Sequence, residues 1–315
     1  MHAGHHLGRL ALYAAGIMLA ASLASGAAAS QQTSGQGADW SGVDQALGRK
    51  GAMQPGDVMK YSFPRSDLQV TANGVEVKPA LALGSWVAFK NVGGGHAMMM
   101  GDLVLTEDEV GPVMRALQQA GVEQTALHNH VLGESPRVMY MHIMGHDDPA
   151  KLAQAVRAAL GQSKTPLEAP QAPAAASAID LDTPAVARTL GATGKVNGGV
   201  FQVSVPRRET IREGGREVPP SMGVATAINF QPTGGGKAAI TGDFVMTAGE
   251  VNPVIRALQE HGITVTALHS HMLTETPHLF FMHFWANDDA TTLARGLRAA
   301  LDRMAVKMPG PTARR

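Results

Sequence analysis

An internal repeat constrains this fold more than any other feature of the sequence. Residues 101–160 align with residues 242–301 without a gap, and 31 of the 60 positions are identical. The similarity continues upstream, where "SWVAFKNVGGGH" corresponds to "TAINFQPTGGGK" and "FPR" corresponds to "VPR". Each unit is about 130 residues long, which is the size of a domain rather than of a solenoid repeat. The chain therefore carries two copies of one domain.

The N-terminal residues have the pattern of a targeting segment. A polar, weakly basic start precedes the apolar run "LALYAAGIMLAASLA", and the small residues "SGAAAS" follow. This order is typical of a cleavable signal peptide, and the apolar run is shorter than the roughly 20 residues that span a bilayer. We therefore expect export to a periplasm or out of the cell. The expected division of the chain is a signal peptide (1–30), a first repeat domain (38–162), a Pro/Ala-rich linker (163–178), a second repeat domain (179–308) and a tail (309–315).

Composition excludes several classes of partner and site. Lys and Arg number 26 and Asp and Glu number 26, so the long-range attraction expected of a nucleic-acid binder is missing. The chain has no cysteine, which rules out disulfides, thiolate metal sites and lipid attachment through a cysteine. We expect no nucleic-acid partner and no stable membrane anchor after signal cleavage.

Local signals predict the same elements in both copies. The apolar strands "DLVLT" and "DFVMT" each end at a threonine that begins a helix in a capping-box pattern, and a glycine follows each helix as a left-handed cap. Two strands joined by a short turn come next, and an aspartate then caps a last helix. The residues concerned are Thr106 with Glu109, Thr247 with Glu250, Gly121, Gly262, Pro136, Pro277, Asp147 and Asp288.

Upstream of these elements, "LQVTANGVEV" predicts a hairpin with Asn73-Gly74 as its turn. Each unit is then strand-rich at its start, with a β-α-β-β-α order after it. The predicted fold class is α+β, with two tandem homologous domains that each pack helices against a largely antiparallel sheet. The glycine runs "VGGGHA" and "TGGGKA" are interpreted as hairpin loops, and the methionines at 98–100 as core residues.

The stretch "TALHNHVLGESPRVMYMH" carries the candidate site. Side chains alternate along a strand, so His128 and His130 project to one side. A hairpin centred on Pro136 would make His130 and His142 cross-strand neighbours, with Cβ atoms about 4.5–5.5 Å apart. Neutral imidazole suits Zn, Cu, Fe or Ni, and Glu134 in the turn adds a carboxylate. The pattern predicts a divalent metal site, with Zn as one candidate ion.

The second copy repeats this pattern as "TALHSHMLTETPHLFFMH", with His269, His271, Glu275 and His283. One ion in each repeat is the first arrangement to consider. The alternative is a pseudo-dimer with one central site, because duplicated domains often mimic a twofold pair. Inert histidines on a sheet are a further interpretation. Asp102 and Asp243 precede the apolar strands in both copies, where they could support the histidines or cap loops.

The block from residue 101 to 160 resembles the domain of unknown function found in the LppY/LpqO family of exported bacterial proteins. "ALHNH", "ESPR" and "MYMH" carry that resemblance, and the second unit resembles a diverged copy. Some members of that family are lipoproteins, but this chain lacks the cysteine that lipid attachment requires. The resemblance supports the domain assignment and brings no established reaction with it.

Three hypotheses for function follow. The first is an exported protein that binds a metal or a polar ligand on one sheet face of each repeat. The second is a metal-free periplasmic binding module for a small ligand or an envelope component. The third is a metal-dependent hydrolase, in which Glu134 would act as base on a metal-bound water. No catalytic residue is assigned from the sequence.

Overall fold

The structure is a computed structural model that describes residues 38–168 and 179–308. The expected signal peptide, the tail 309–315 and residues 169–178 of the expected linker lie outside these ranges. Within the described ranges, no helix is both long and apolar enough to cross a membrane. The two repeats belong to one compact unit.

Both repeats begin with a helix. A series of strands follows it, and strands and helices alternate in the C-terminal half of each repeat. The first repeat contains α1 (Ser41–Leu47), β1 (Ala52–Gln54), β2 (Val58–Pro64), β3 (Val70–Ala72), β4 (Val75–Val77), β5 (Gly84–Gly93), β6 (His96–Thr106), α2 (Glu107–Gln119), β7 (Glu123–His128), β8 (Glu134–Ser135), β9 (Val138–Asp147) and α3 (Pro149–Leu160). The second contains α4 (Thr183–Leu190), β10 (Gly194–Asn197), β11 (Val200–Pro206), β12 (Arg212–Glu213), β13 (Arg216–Glu217), β14 (Ala225–Gly234), β15 (Lys237–Met246), α5 (Ala248–Glu260), β16 (Thr264–His269), β17 (Phe280–Asp289) and α6 (Ala290–Leu301).

Each repeat builds a six-stranded antiparallel sheet with the same topology. The strand order is β1-β2-β5-β6-β9-β7 in the first repeat and β10-β11-β14-β15-β17-β16 in the second. Smaller sheets, β4-β3-β8 and β12-β13, form arms outside the main sheets. The prediction of two tandem α+β domains with antiparallel sheets is therefore confirmed.

Both faces of the main sheets are covered, which explains their long apolar strands. In β6, residues 97–105 are all buried, and Met98, Met99 and Met100 are among them. A strand buried on both faces loses the alternation of apolar and polar residues that marks a half-exposed strand. The interpretation of the methionines as core residues is confirmed.

Most local predictions agree with the structure. The Glu109 carboxylate accepts the backbone N–H of Thr106 at 3.0 Å, and Asn73-Gly74 joins β3 to β4 with φ angles of 50° and 81°. The glycine runs turn β5 into β6 and β14 into β15. The last helices, however, are capped one residue later than predicted. Asp148 and Asp289, rather than Asp147 and Asp288, accept N–H groups of the first turns.

Helices cover one face of each main sheet, and the other face is covered by the neighbouring repeat. Val70 and Val77 of the first repeat's β3–β4 hairpin share a core with Trp285 on the second repeat's sheet. In the reciprocal core, Ile211 and Val218 of the second repeat pack with Met98 and Met100 of the first. The repeats thus exchange arms, and each buries the face that its own helices leave uncovered.

The described part of the expected linker packs against the first repeat. The buried Arg49 guanidinium donates to the backbone oxygens of Leu167 and Glu168 at 2.9 and 2.7 Å. The Glu109 carboxylate accepts the N–H of Lys164 at 2.7 Å. Residues 163–168 therefore follow the surface of the first domain.

Candidate metal centre

The histidine-bearing hairpin lies on the face covered by the other repeat. His128 ends β7, and His142 lies in the middle of β9. His142 is paired with Ala126 on β7 and with Asp102 on β6. Directly paired residues point to the same side of a sheet, so Asp102, His128 and His142 share one face, as expected for the two histidines.

The predicted pairing of His130 with His142 is wrong. His130 lies two residues beyond the end of β7, in a connection to β9 that is longer than a tight turn. Part of that connection, β8, pairs with β3 instead of continuing the hairpin. A register shift between Gln124 and Ala126 also moves the β7–β9 pairing away from a simple hairpin centred on Pro136. His283 in the second repeat is likewise paired with Ala267 and Asp243.

The two sets of histidines meet at the interface between the repeats. His128 stacks on its counterpart His269 with ring centroids 3.6 Å apart. His142 stacks on His271 at 3.6 Å, and the His130 ring lies tilted against the His283 ring at 3.8 Å. These cross-repeat distances are shorter than those within a repeat, where the His128 ring lies 5.2 Å from His130 and 5.0 Å from His142. A local pseudo-twofold relation joins the six rings into one cluster.

Two aspartates lie against this cluster. Asp102 and Asp243 do not precede strands, as the sequence suggested, but lie inside the long strands β6 and β15. The Asp102 carboxylate lies 3.8 Å from His130 Nε2 and 4.0 Å from His142 Nε2. Asp243 Oδ2 lies 3.3 Å from His271 Nε2. The aspartates therefore face the histidines directly, rather than capping loops.

Burial changes the pKa values of these aspartates and histidines in the direction that favours their neutral forms. Burial raises the pKa of Asp102 to about 7, although the positive charge of Lys60 acts in the opposite direction. Burial also raises the pKa of Asp243, and the nearby charge of Asp102 raises it further. Burial lowers the pKa of His128 to about 4 and that of His283 to about 3. The pKa values of the other rings are lowered by burial first and then by neighbouring histidines; these are His130, His142, His269 and His271. Neutral imidazole is the form that binds metals.

Many of the buried polar atoms in the cluster have no hydrogen-bond partner among residues 38–168 and 179–308. Five ring nitrogens and two carboxylate oxygens are in this state, namely Nε2 of His128, His130, His142 and His283, Nδ1 of His269, and Oδ1 of Asp102 and Asp243. Leaving one buried donor or acceptor unsatisfied costs about 1–3 kcal/mol. Such a concentration of unpaired groups is typical of a binding site rather than of a core.

Three overlapping groups of side chains bring their ligand atoms within 4.8 Å of one another. The groups are His128, His142, His269 and His271; Asp243, His269, His271 and His283; and His128, His130 and His283. Two of the three combine residues of both repeats. The geometry therefore resembles the shared central arrangement more than one separate site in each repeat.

The predicted glutamate ligands lie outside these groups and contact the backbone. Oε1 of Glu134 accepts the N–H of Val138 at 3.1 Å, and Oε1 of Glu275 accepts the N–H of Leu279 at 2.7 Å. Burial also raises the pKa of Glu134 to about 7. In both repeats the glutamate therefore fixes the backbone at the start of the strand that carries the third histidine, β9 or β17.

Sequence reasoning missed the contacts that join the two halves of the cluster. Thr125 Oγ1 donates to the backbone oxygen of His271 at 2.6 Å, and Thr266 Oγ1 donates to that of His130 at 2.5 Å. Both threonines begin the "TALH" string, and its presence in both copies was the one available signal. Tyr140 was also missed: its ring stacks on His130 at 3.2 Å, where the second repeat stacks Phe281 on His271 at 3.5 Å.

Comparison with known proteins gives a family and no reaction. The model of a family described as "Domain of Unknown Function (DUF1259)" matches residues 41–162 and again residues 184–303. No curated protein matches the chain.

Among solved structures, the chain is similar to the trimeric bacterial microcompartment shell protein PduB, with 15% identity over 81% of this chain and 89% of that one, at a TM-score of 0.20. It is also similar to EtuB from Clostridium kluyveri, with 12% identity over 80% and 90% of the two chains, at a TM-score of 0.19. Scores this low support no structural or functional argument.

Proposed function

The chain belongs to the DUF1259 family of domains of unknown function, and we propose that it binds divalent transition-metal ions in the histidine–aspartate cluster between its two repeats. The observation that carries this proposal is the set of five buried imidazole nitrogens without hydrogen-bond partners among the described residues. A metal ion would satisfy several of these lone pairs at once.

The donor set favours ions of intermediate softness. Imidazole binds Zn, Cu, Fe and Ni well, and the chain offers no thiolate that would select for softer chemistry. The carboxylates of Asp102 and Asp243 supply oxygen donors and negative charge beside the rings. A bound cation would also offset the cost of burying these carboxylates in their charged form.

Elemental analysis of protein purified without a histidine tag tests this proposal. We expect stoichiometric Zn, Cu, Fe or Ni, and loss of that metal in the double variant His128→Ala/His269→Ala. The matched control is His96→Ala/His146→Ala, which removes two exposed histidines outside the cluster. Metal content far below one ion per chain, unchanged after reconstitution, would overturn the proposal. Stabilisation by small polar ligands without any metal would favour the metal-free binding module instead.

We further propose that the chain is exported and is of the LppY/LpqO type within its family. The signal-peptide pattern of residues 1–30 supports export, and the strings "ALHNH", "ESPR" and "MYMH" support the closer relationship. Cell fractionation with mass spectrometry of the N-terminus tests the export. We expect a mature N-terminus close to Ala29 or Ser30, and an uncleaved cytoplasmic protein would contradict it.

A further inference from the structure

We propose that the cluster holds two metal ions, each bound by the H-x-H pair of one repeat and the third histidine of the other. One triad is His128, His130 and His283, and the other is His269, His271 and His142. This inference rests on the proposed metal binding and adds the number of ions and the division of the ligands.

The six rings divide into these two triads, and no histidine belongs to both. The ligand atoms of His128, His130 and His283 lie within 4.8 Å of one another. Those of His142, His269 and His271 meet the same limit, because they belong to a larger group that does. Exchanging the two repeats converts one triad into the other, and each triad contains one close ring contact between the repeats. Those contacts are His130 with His283 and His142 with His271.

The two aspartates lie where the triads meet. Asp102 reaches His130 of one triad through Oδ2 and His142 of the other through Oδ1, at 3.8 and 4.0 Å. Asp243 belongs to a group that includes His283 of the first triad and His271 of the second. A carboxylate with one oxygen toward each of two neighbouring ions is suited to bridge them, as in two-metal sites with ions about 3.5–4 Å apart.

The competing arrangement places one ion in the group of four histidines, His128, His142, His269 and His271. One divalent ion would balance the charge of the two carboxylates, but it would leave Nε2 of His130 and His283 unpaired. That four-ligand group also lacks the symmetry of the repeats, because its counterpart would use His130 and His283 in place of His142 and His271. Two triads use all six rings and keep the pseudo-twofold symmetry that relates the two repeats. The excess positive charge of two divalent ions over two carboxylates would favour a small anion as an additional ligand.

Titration of chelator-treated full-length protein with Zn²⁺ alone distinguishes the arrangements. We expect two ions per chain for the unaltered protein and one for either His130→Ala or His271→Ala. A single ion that His130→Ala leaves in place and His271→Ala removes would establish a one-ion site that includes His271 and excludes His130, and it would overturn this inference while leaving the proposed metal binding intact. The absence of any bound ion would overturn both.

A spectroscopic measurement on the unaltered protein tests the two-ion site even if the variants do not fold. Loaded with Cu²⁺, the two-ion site would show magnetic coupling between neighbouring ions in electron paramagnetic resonance. His130→Ala and His271→Ala would each give the uncoupled spectrum of one ion, with circular dichroism confirming that the variants fold. An uncoupled signal from the fully loaded unaltered protein would contradict the two-ion site.

Discussion

The two repeats share their supporting contacts and differ beside the cluster. In the first, Arg65 Nη1 lies 2.7 Å from Glu109 Oε2, and in the second, Arg207 Nη1 lies 2.6 Å from Glu250 Oε2. Each arginine also donates to the backbone oxygen of the strand before the helix, at Val104 or Val245. The buried pair therefore joins the "FPR" or "VPR" string to the N-terminus of a helix in both copies.

The difference lies at Tyr140 and Phe281, which stack on equivalent histidines. The Tyr140 hydroxyl is buried and has no hydrogen-bond partner among the described residues, while Phe281 has no polar group to satisfy. Burial, followed by the charges of Glu134 and Asp102, raises the pKa of Tyr140. The two repeats thus have the same types of candidate ligand, but the aromatic residues that stack on those ligands differ. This comparison indicates that the scaffold contacts are symmetric and that the cluster environment is not.

The largest effect is expected at the buried ion pairs. Glu109→Gln and Glu250→Gln should each lower the free energy of unfolding by about 2 kcal/mol, because each removes one of the two carboxylates paired with a buried guanidinium and leaves only Asp67 or Glu209. Denaturant unfolding monitored by circular dichroism measures both. Equal losses would support the symmetry of the scaffold, and a loss confined to one repeat would break it. Glu107→Gln, at an exposed position, is the control.

The same ion pair predicts a pH dependence. Burial alone would raise the pKa of Glu109, but hydrogen bonds from Arg65 and the N–H groups of Lys164 and Thr106 outweigh it and hold the pKa below its usual 4.5. A lowered folded-state pKa contributes stability above the unfolded pKa, and that contribution is lost as the pH falls through the folded value. The stability difference between unaltered protein and Glu109→Gln should be constant above pH 4.5 and shrink below it. A difference that grows on acidification would refute this assignment.

The contacts between the repeats should have a smaller effect. Thr125→Val and Thr266→Val each remove a hydroxyl that donates across the interface, and each should cost about 1 kcal/mol. Thermal unfolding measures the loss, and Thr125→Ser, which keeps the hydroxyl, should recover most of it. Valine variants as stable as the original protein would show that these hydrogen bonds do not hold the repeats together.

The smallest effect is expected where the repeats differ. Tyr140→Phe copies the second repeat's aromatic residue and removes an unpaired buried hydroxyl, so stability should be unchanged or rise by up to about 1 kcal/mol. Metal content should stay the same. A marked loss of metal or of stability would show instead that the Tyr140 hydroxyl has a ligand-binding role that Phe281 lacks.

Sequence alone determined the duplication, the α+β class and most of the local elements. The capping boxes, the Asn73-Gly74 hairpin and the glycine loops depend on residues close in the chain, and their backbone requirements are visible in a single string. The histidines and aspartates were also identifiable as residue types. The assignment of Glu134 and Glu275 as metal ligands stays a prediction, and both glutamates contact the backbone.

Only the tertiary structure decided which groups meet. The position of His130 depends on a register shift in β7 and on a β7–β9 connection that pairs with a different sheet. The stacking of His128 on His269 depends on the exchange of arms between repeats, which buries apolar surface contributed by both. Such contacts join residues far apart in the chain, so their geometry follows from packing and not from local pattern. The candidate centre therefore forms between the two copies, an arrangement that the sequence offered only as one alternative.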